Sequence, residues 1–342
     1  MAKKFTIDPA PEKILVRATN WIGDGVMMTP ALGAIRHTFP LAEIVVVANP
    51  LVAQLFIPHP YCDRVITYDR KGEHRGVPGF YRFVRQLRAE RFDLAILLQK
   101  AIEAALLAFL ASIPQRIGFS TDSRRLFLTS SVPLTSEIRQ KHHSRHYLEM
   151  LKAFGITGKN DDLRLVITQA ENDYALGLLG KGRWLAINPG AAYGSAKRWY
   201  PEKFADVADA LAEEFSLQVV IIGGPGEKQI GRDIVSRMRY RPVNLVGETT
   251  VREMMAVIAH CSLIITNDSG PMHVAAALQV PTVAIFGPTD HTTTYPWTAR
   301  YRVVRQNVEC APCLKRVCPT DHRCMTEVTS EMVVSAAREI IE

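Results

Sequence analysis

Short runs of apolar residues, rich in valine and isoleucine, recur along the chain, and segments with apolar positions at helical spacing separate them. Such runs are typical of strands that are buried on both faces of a parallel sheet. The predicted strands comprise residues 13–18, 44–48, 64–67, 94–98, 184–188, 218–222, 244–246, 263–266 and 282–286. The predicted helices comprise residues 31–39, 79–91, 103–112, 202–211 and 330–341.

Strands and helices alternate in two successive series, which predicts an α/β protein. Each series is expected to form a doubly wound, Rossmann-like domain, and the two domains are expected to face each other across a cleft. A polar stretch at residues 158–162 separates the two series. We therefore expect an N-terminal domain at residues 1–165 and a C-terminal domain at residues 166–342, with the last helix crossing back to the first domain.

Residues 267–277 are the most informative segment of the chain. They follow an apolar run and lead into a run of small residues, which predicts a tight polar turn between a strand and a helix. Such a turn presents free backbone N–H groups to an anion, here those of Ser269 and Gly270. Asp268 at the strand end can reach the hydroxyls of a ligand, and His273 lies on the first helical turn. The segment therefore predicts a binding site for a diphosphate with a sugar attached.

A second polar turn is predicted at residues 19–25, directly after the first strand, and it places Asp24 between two glycines. Thr29 and Pro30 then have the residue types of a helix N-cap and a first helical residue. Asp24 is thereby predicted to lie at a strand-to-helix crossover, where open α/β sheets bind their ligands. An ordinary capping or turn aspartate explains the same triplet.

A third turn, at residues 188–201, carries Pro-Gly-Ala, then Ala-Lys-Arg-Trp, then a final proline. With these three motifs the chain resembles the heptosyltransferases that build the inner core of lipopolysaccharide. They are the ADP-heptose glycosyltransferases of glycosyltransferase family 9. The third motif is most similar to that of the second heptosyltransferase of the pathway, and the resemblance covers nearly the whole chain.

The resemblance implies the glycosyltransferase-B architecture and an inverting transfer of L-glycero-D-manno-heptose from ADP-heptose. The acceptor it implies is the first heptose of the inner core, on a lipid A–Kdo–heptose glycolipid. Heptosyltransferase I, or a family member with another acceptor or sugar, is the alternative among enzymes. A non-catalytic nucleotide-binding or glycan-binding protein is the alternative outside that class. ADP-heptose is expected as the donor substrate, with no metal or other cofactor.

The resemblance also assigns roles to individual residues. Asp24 matches the catalytic base of the family, and Lys197 matches the lysine that binds the phosphates. Asp268 is expected to hold sugar hydroxyls, and His273 is expected to assist with the phosphates or the sugar. The backbone at Ser269, with the helix dipole behind it, would share the negative charge of the departing diphosphate.

Glu227 is a further candidate for the nucleotide site, because it follows a strand that runs into a glycine turn. The family uses a glutamate in this region to accept the ribose hydroxyls. A glutamate in the first turn of a helix, favoured there by the helix dipole, is an equal alternative.

The first domain is expected to bind the acceptor. Arg116, Arg124 and Arg125 lie close together in the sequence, and a basic stretch follows at residues 141–146. Clustered arginines suit carboxylates and phosphates, and the glycolipid carries both. A solvated basic surface is the alternative for any one of these residues.

The formal net charge of +7 over 342 residues favours an anionic partner. We expect no nucleic acid, since the chain has no nucleic-acid-binding motif. No apolar run approaches the roughly 20 residues that span a membrane, and the N-terminus lacks the apolar core of a signal peptide. We therefore expect a cytoplasmic protein with peripheral contact to the cytoplasmic face of the inner membrane.

Four of the six cysteines are clustered near the C-terminus, at Cys310, Cys313, Cys318 and Cys324. Their spacing permits a zinc site but differs from a standard finger. A reduced thiol cluster that packs a loop is the default expectation for a cytosolic protein. We therefore expect no metal, with the four-cysteine site as the alternative.

Overall fold

The computed structural model describes residue 7 and residues 9–341. The segment in which we expected no signal peptide lies largely outside the described residues. The chain divides into two compact units, Met1–Val166 and Ile167–Glu342, and this division falls beside the boundary expected after residue 165. None of the helices in the described part of the chain has the length and apolar character that a membrane-spanning helix needs.

The first unit is built on a parallel six-stranded sheet. Its strands are β1 (Lys13–Arg17), β2 (Glu43–Ala48), β3 (Arg64–Thr67), β4 (Leu94–Leu97), β5 (Gln115–Phe119) and β6 (Ser130–Val132). Its helices are α1 (Ile22–Met27), α2 (Thr29–Thr38), α3 (Pro50–Ala53), α4 (Gly76–Ala89), α5 (Ile102–Leu110), α6 (Ser136–Arg139) and α7 (His143–Lys152), with 3₁₀ helices at Gln54–Phe56 and Arg124–Phe127. The strand order is β3-β2-β1-β4-β5-β6. The chain therefore adds strands to one side of β1 up to β3 and to the other side from β4 onwards, so the switch point lies between β1 and β4.

The second unit repeats this plan with another parallel six-stranded sheet. Its strands are β7 (Trp184–Asn188), β8 (Gln218–Ile221), β9 (Val243–Asn244), β10 (Leu263–Asn267), β11 (Thr282–Ile285) and β12 (Tyr301–Val304). Its helices are α8 (Gln169–Leu179), α9 (Pro201–Phe215), α10 (Lys228–Val235), α11 (Val251–Ala259), α12 (Gly270–Ala277), α13 (His291–Thr294), α14 (Arg323–Thr326) and α15 (Ser330–Arg338), with 3₁₀ helices at Ser195–Lys197 and Pro225–Glu227. The strand order is β12-β11-β10-β7-β8-β9. The predicted class, α/β with two doubly wound parallel sheets, is confirmed.

The central strands of the second sheet bring the polar turns to one edge. β10 is buried along its whole length and pairs in parallel with β7 and β11, with Thr266 opposite Asn188 and Asn267 opposite Ile285. Because parallel strands end at the same edge, the turns after β7, β10 and β11 lie side by side. The last helix, which we expected to cross back to the first domain, packs against α9 and β12 in the second unit.

The turn expected at residues 19–25 differs in the structure, because its second half is helical. Asp24 lies in the first turn of α1, and Gly25 packs so closely that a Cβ atom there would lie 2.9 Å from Leu55 Cδ1. Close packing thus favours helix where glycine propensity alone favours a turn. Thr29 is the first residue of α2 and not its N-cap, and its hydroxyl donates to the Val26 carbonyl at 2.7 Å.

Candidate functional site

Three turns at the carboxyl edge of the second sheet form a compact polar site around Asp268. Lys197 Nζ donates to Asp268 Oδ2 at 2.6 Å, and the Thr289 hydroxyl donates to the same oxygen at 2.6 Å. The side chains of Lys197 and Asp268 are only 13% and 6% exposed. A poorly solvated ion pair is stable only with good geometry and further hydrogen bonds, and Thr289 supplies one of them. The structure thus joins two residues predicted from separate motifs, and Thr289 is a partner that the sequence did not indicate.

Two buried asparagines hold these turns together. Asn188 Nδ2 donates to the Thr266 hydroxyl at 2.8 Å and to the Ser269 hydroxyl at 2.7 Å. Asn267 Nδ2 donates to the Pro189 carbonyl at 2.7 Å, and its side-chain oxygen accepts the backbone N–H of Trp199 at 3.1 Å. Neither asparagine was singled out from the sequence. Each one ends a wholly buried strand, and a polar residue at such a position indicates a side chain that needs hydrogen-bond partners within the protein.

The predicted anion-binding turn has the expected strand–turn–helix form. Asp268 directly follows β10, Ser269 is the N-cap residue of α12, and Gly270 is its first residue. His273 lies near the start of α12 as predicted, but its side chain is only 3% exposed. Direct contact of His273 with a ligand stays a prediction, as do the backbone contacts of Ser269 and Gly270.

Glu227 lies against the turn after β7, although it belongs to the segment after β8. Its carboxylate oxygen Oε2 accepts the backbone N–H of Gly224 at 2.8 Å, as in a capping interaction. A Cβ atom on Gly190 would lie 2.1 Å from the carboxylate, so only glycine leaves room for it there. Glu227 therefore caps its own 3₁₀ helix and also lies beside the Asn188–Pro189–Gly190 turn. Contact of Glu227 with ribose stays a prediction.

In the first unit, Asp24 lies beside His143 and near the Lys100 ammonium, close to the carboxyl edge of the sheet. His143 Nδ1 lies 3.7 Å from Asp24 Oδ1, and both side chains are about one-third exposed (34% and 29%). Burial lowers the pKa of Lys100, and the nearby Asp24 carboxylate opposes that shift. Burial, with His143 and Lys100 nearby, lowers the pKa of His146 to about 4. The setting gives Asp24 access to solvent and nearby positive charge. Lys100, three residues after the end of the buried strand β4, was not singled out from the sequence.

Arg124 has a structural role in place of its expected role in acceptor binding. It is fully buried, and its Nε donates to the Phe119 carbonyl at 2.6 Å. Its Nη2 donates to the Leu97 carbonyl at 3.1 Å, and its Nη1 donates to the Gln99 carbonyl. Burial lowers the pKa of Arg124 to about 10. The guanidinium satisfies main-chain carbonyls at the ends of β4 and β5 and is not available to a phosphate.

Arg116 is likewise committed to main-chain carbonyls. Its Nε donates to the Phe127 carbonyl at 2.7 Å, its Nη1 donates to the Ile113 carbonyl, and its guanidinium lies over the Phe109 ring at 5.4 Å. Arg116 is partly exposed, so its expected role in acceptor binding stays a prediction. Arg125 is exposed, and its contact with the acceptor stays a prediction.

Replacing Arg124 with alanine should lower the free energy of unfolding by about 3 kcal/mol, because buried carbonyls then lose their donors. Urea denaturation would measure the loss. Arg125→Ala is the matched control, and we expect a change within about 0.5 kcal/mol for that exposed neighbour. An Arg124→Ala protein of unchanged stability that binds the acceptor poorly would instead restore the acceptor role.

The four clustered cysteines line one cavity of about 90 Å³, together with His322. Burial and the other three thiols raise the pKa of Cys324 to about 11. His322 is occupied, since its Nε2 donates to the Ala196 carbonyl at 2.8 Å and its Nδ1 accepts from the Tyr200 hydroxyl at 3.1 Å. Within the described residues, no three histidine, cysteine or carboxylate side chains are grouped as metal ligands. The expected absence of metal stays a prediction.

Comparison with known proteins assigns this chain to one family. The model of glycosyltransferase family 9 (heptosyltransferase) matches residues 80–323. The chain is 30% identical over 339 residues to lipooligosaccharide heptosyltransferase 2 of Campylobacter jejuni subsp. jejuni serotype O:2, covering 96% of this chain and 98% of that one. It is 31% identical to lipopolysaccharide heptosyltransferase 2 of Escherichia coli K12, covering 86% and 88%.

Solved structures agree with the sequence relatives. The glycosyl transferase family 9 protein from Veillonella parvula superposes with a TM-score of 0.88 at 27% identity, covering 96% of this chain and 97% of that one. The Escherichia coli ADP-heptose lps heptosyltransferase II superposes with a TM-score of 0.82 at 26% identity, covering 96% and 98%. The family model covers most of the chain, and relatives of similar length match nearly end to end. This protein is therefore a glycosyltransferase that belongs to glycosyltransferase family 9, the heptosyltransferases.

Proposed function

We propose that this enzyme transfers L-glycero-D-manno-heptose from ADP-heptose to the first heptose of the lipopolysaccharide inner core, with inversion at the anomeric carbon. The observation that carries the proposal is the buried Lys197–Asp268 pair, beside a strand–turn–helix at the carboxyl edge of the second sheet. Its support from relatives is the match over nearly all of the chain to enzymes named heptosyltransferase 2.

The proposed reaction needs a base and a stabilised leaving group. Asp24 accepts the proton of the acceptor hydroxyl while that oxygen forms its bond to the anomeric carbon. The bond between the anomeric carbon and the β-phosphate oxygen breaks, and its electron pair leaves with ADP. ADP thereby gains one negative charge, which positive groups and oriented N–H donors stabilise in the transition state.

The second unit supplies the groups that would hold the donor. Lys197 binds the diphosphate, and Asp268 accepts hydrogen bonds from the heptose hydroxyls. Glu227 accepts the ribose hydroxyls through the carboxylate oxygen that does not cap Gly224. Ser269 and Gly270 offer backbone N–H groups at the start of α12, where the helix dipole favours an anion. In this mechanism the charge on the leaving group is balanced by the protein's own groups.

The acceptor is amphiphilic, and we propose peripheral contact of the enzyme with the membrane that holds it. The formal net charge of +7 supports attraction to an anionic surface.

Two truncated glycolipid acceptors test the proposed function. One carries lipid A and Kdo alone, and the other carries one heptose in addition. We expect transfer from ADP-heptose only to the heptose-bearing acceptor, measured as ADP release and as the mass of the glycolipid product.

The other outcomes identify which part of the proposal fails. Transfer only to the Kdo acceptor would make this the enzyme that adds the first heptose. No transfer to either acceptor by a protein that still binds ADP would agree with the assigned nucleotide site and contradict the assigned acceptor or sugar.

A further inference from the structure

A long irregular segment that the proposed mechanism does not use lies against the Lys197 turn. Residues 305–322, here called the cysteine loop, connect β12 to α14 without a helix or strand. Irregular loops longer than about 12–15 residues are uncommon in compact domains and usually serve a function. The position of this loop suggests which function.

Hydrogen bonds join the cysteine loop to the turns of the donor site. The Leu314 N–H donates to the Pro288 carbonyl at 2.8 Å, and the Tyr193 hydroxyl donates to the Leu314 carbonyl at 2.6 Å. The Ala196 N–H donates to the Arg316 carbonyl at 3.0 Å, one residue before Lys197. The loop is therefore held directly on the segment that carries the phosphate-binding lysine.

Gly194 permits this close approach. A Cβ atom on Gly194 would lie 2.2 Å from the carbonyl oxygen of Arg316, a separation that main-chain atoms cannot accommodate without moving. The backbone of Arg316 is therefore positioned by main-chain packing as well as by its hydrogen bond to Ala196.

The side chain of Arg316 shares an aromatic neighbour with Lys197. The Arg316 guanidinium lies 5.3 Å from the centre of the Tyr193 ring, and Lys197 Nζ lies 4.9 Å from the same centre. The two cations are consequently within about 10 Å of each other, the sum of those distances. Such contacts orient a cation over a ring without neutralising its charge.

The charge of Arg316 is available, whereas that of Lys197 is already balanced. Lys197 and Asp268 form an ion pair of zero net charge, yet the departing ADP gains a negative charge. Arg316 is exposed, and among the described residues no carboxylate oxygen lies within 4.0 Å of its guanidinium. Arg323, the first residue of α14 directly after the loop, is by contrast paired with Asp321 at 2.8 Å.

We propose that Arg316 is a second cation for the nucleotide diphosphate, presented by the cysteine loop beside Lys197. This inference rests on the proposed function, since it takes the ligand of the second unit to be an ADP-sugar. A planar guanidinium offers two parallel N–H donors to phosphate oxygens, which suits a diphosphate better than a single point charge does.

Calorimetric titration of ADP and AMP into the whole protein tests this assignment. We expect Arg316→Ala to weaken ADP binding about tenfold, as loss of a charge-assisted hydrogen bond would, and to weaken AMP binding by much less. We expect Arg316→Gln, which keeps most of the side-chain volume, to behave like the alanine variant. Arg316→Lys should retain part of the affinity. Arg323→Ala removes the same charge immediately after the loop and should stay within about twofold of wild type.

Turnover adds a second readout. If Arg316 stabilises the leaving group, Arg316→Ala should lower kcat with ADP-heptose as well as the affinity for ADP. Equal loss of ADP and AMP affinity, or an effect matched by Arg323→Ala, would overturn the assignment in favour of a general charge effect. Unchanged ADP affinity and kcat in a folded Arg316→Ala protein would also overturn it. A wild-type protein that does not bind ADP would instead contradict the proposed function on which this inference rests.

Discussion

Replacing Asp24 with asparagine should lower the rate of heptose transfer about a thousandfold, while ADP binds with nearly wild-type affinity. The amide cannot accept the proton of the acceptor hydroxyl, and general-base catalysis contributes an effect of this order. Asn has nearly the same shape as Asp, and the Asp24 side chain is partly exposed in the first turn of α1, so the fold should be retained. Initial rates of ADP release, with calorimetric titration of ADP, measure both quantities.

Asp162→Asn is the matched control for this experiment, because Asp162 is an exposed aspartate in the same unit. It should leave both turnover and ADP affinity unchanged. An Asp24→Asn enzyme that loses ADP affinity but keeps its turnover would contradict the role of Asp24 as the base. It would indicate a nucleotide-binding role instead.

Replacing Lys197 with alanine should lower kcat/KM by about two to three orders of magnitude and weaken ADP binding. The loss of a positioned cation at the leaving group accounts for an effect of this size. The variant also leaves Asp268, which is only 6% exposed, with the Thr289 hydroxyl but without its cation. Some loss of stability is therefore expected as well, and a melting curve would detect it.

Two further variants separate the effect of the Lys197 charge on transfer from its effect on the stability of the fold. Lys228→Ala breaks an ion pair of the same 2.6 Å length with Glu248, but on an exposed surface, and should have little effect on stability or transfer. The double variant Lys197→Ala, Asp268→Asn removes both charges and should recover stability without recovering transfer. Recovery of transfer in the double variant would show that Lys197 acts only by neutralising the Asp268 carboxylate and not by binding the diphosphate.

The strands of both sheets could largely be predicted from the sequence, because a buried parallel strand is apolar at every position. β7, β10 and β11 were found in this way, within one residue at their ends. β5, β6 and β12 were missed. β6 and β12 lie at the edges of the sheets, and all three strands carry polar, partly exposed residues. Their pattern differs too little from that of a loop.

The spacing of residues along the chain was a less reliable guide to local structure around glycines and to the role of arginines. The glycines around Asp24 predicted a turn, but contacts with a neighbouring helix allow α1 to form there. Arg124 looked like an anion-binding residue, but its guanidinium is buried among main-chain carbonyls. Whether an arginine faces solvent or carbonyl groups depends on how neighbouring segments close over it, which its spacing does not record.

The sequence by itself determined the class of fold and the chemistry of the polar turns, since both depend on residues that are close together along the chain. Asp268 could be located at the end of a buried strand, and Lys197 in a turn after another strand, from the sequence alone. Only the tertiary structure decided that these two side chains, 71 residues apart, form a buried pair that Thr289 completes. It also decided that the cysteine loop places Arg316 beside them. Such contacts arise from the parallel order of the strands and from loop packing. Both bring together residues that are far apart in the sequence, and the sequence around each residue does not show which partner it will contact.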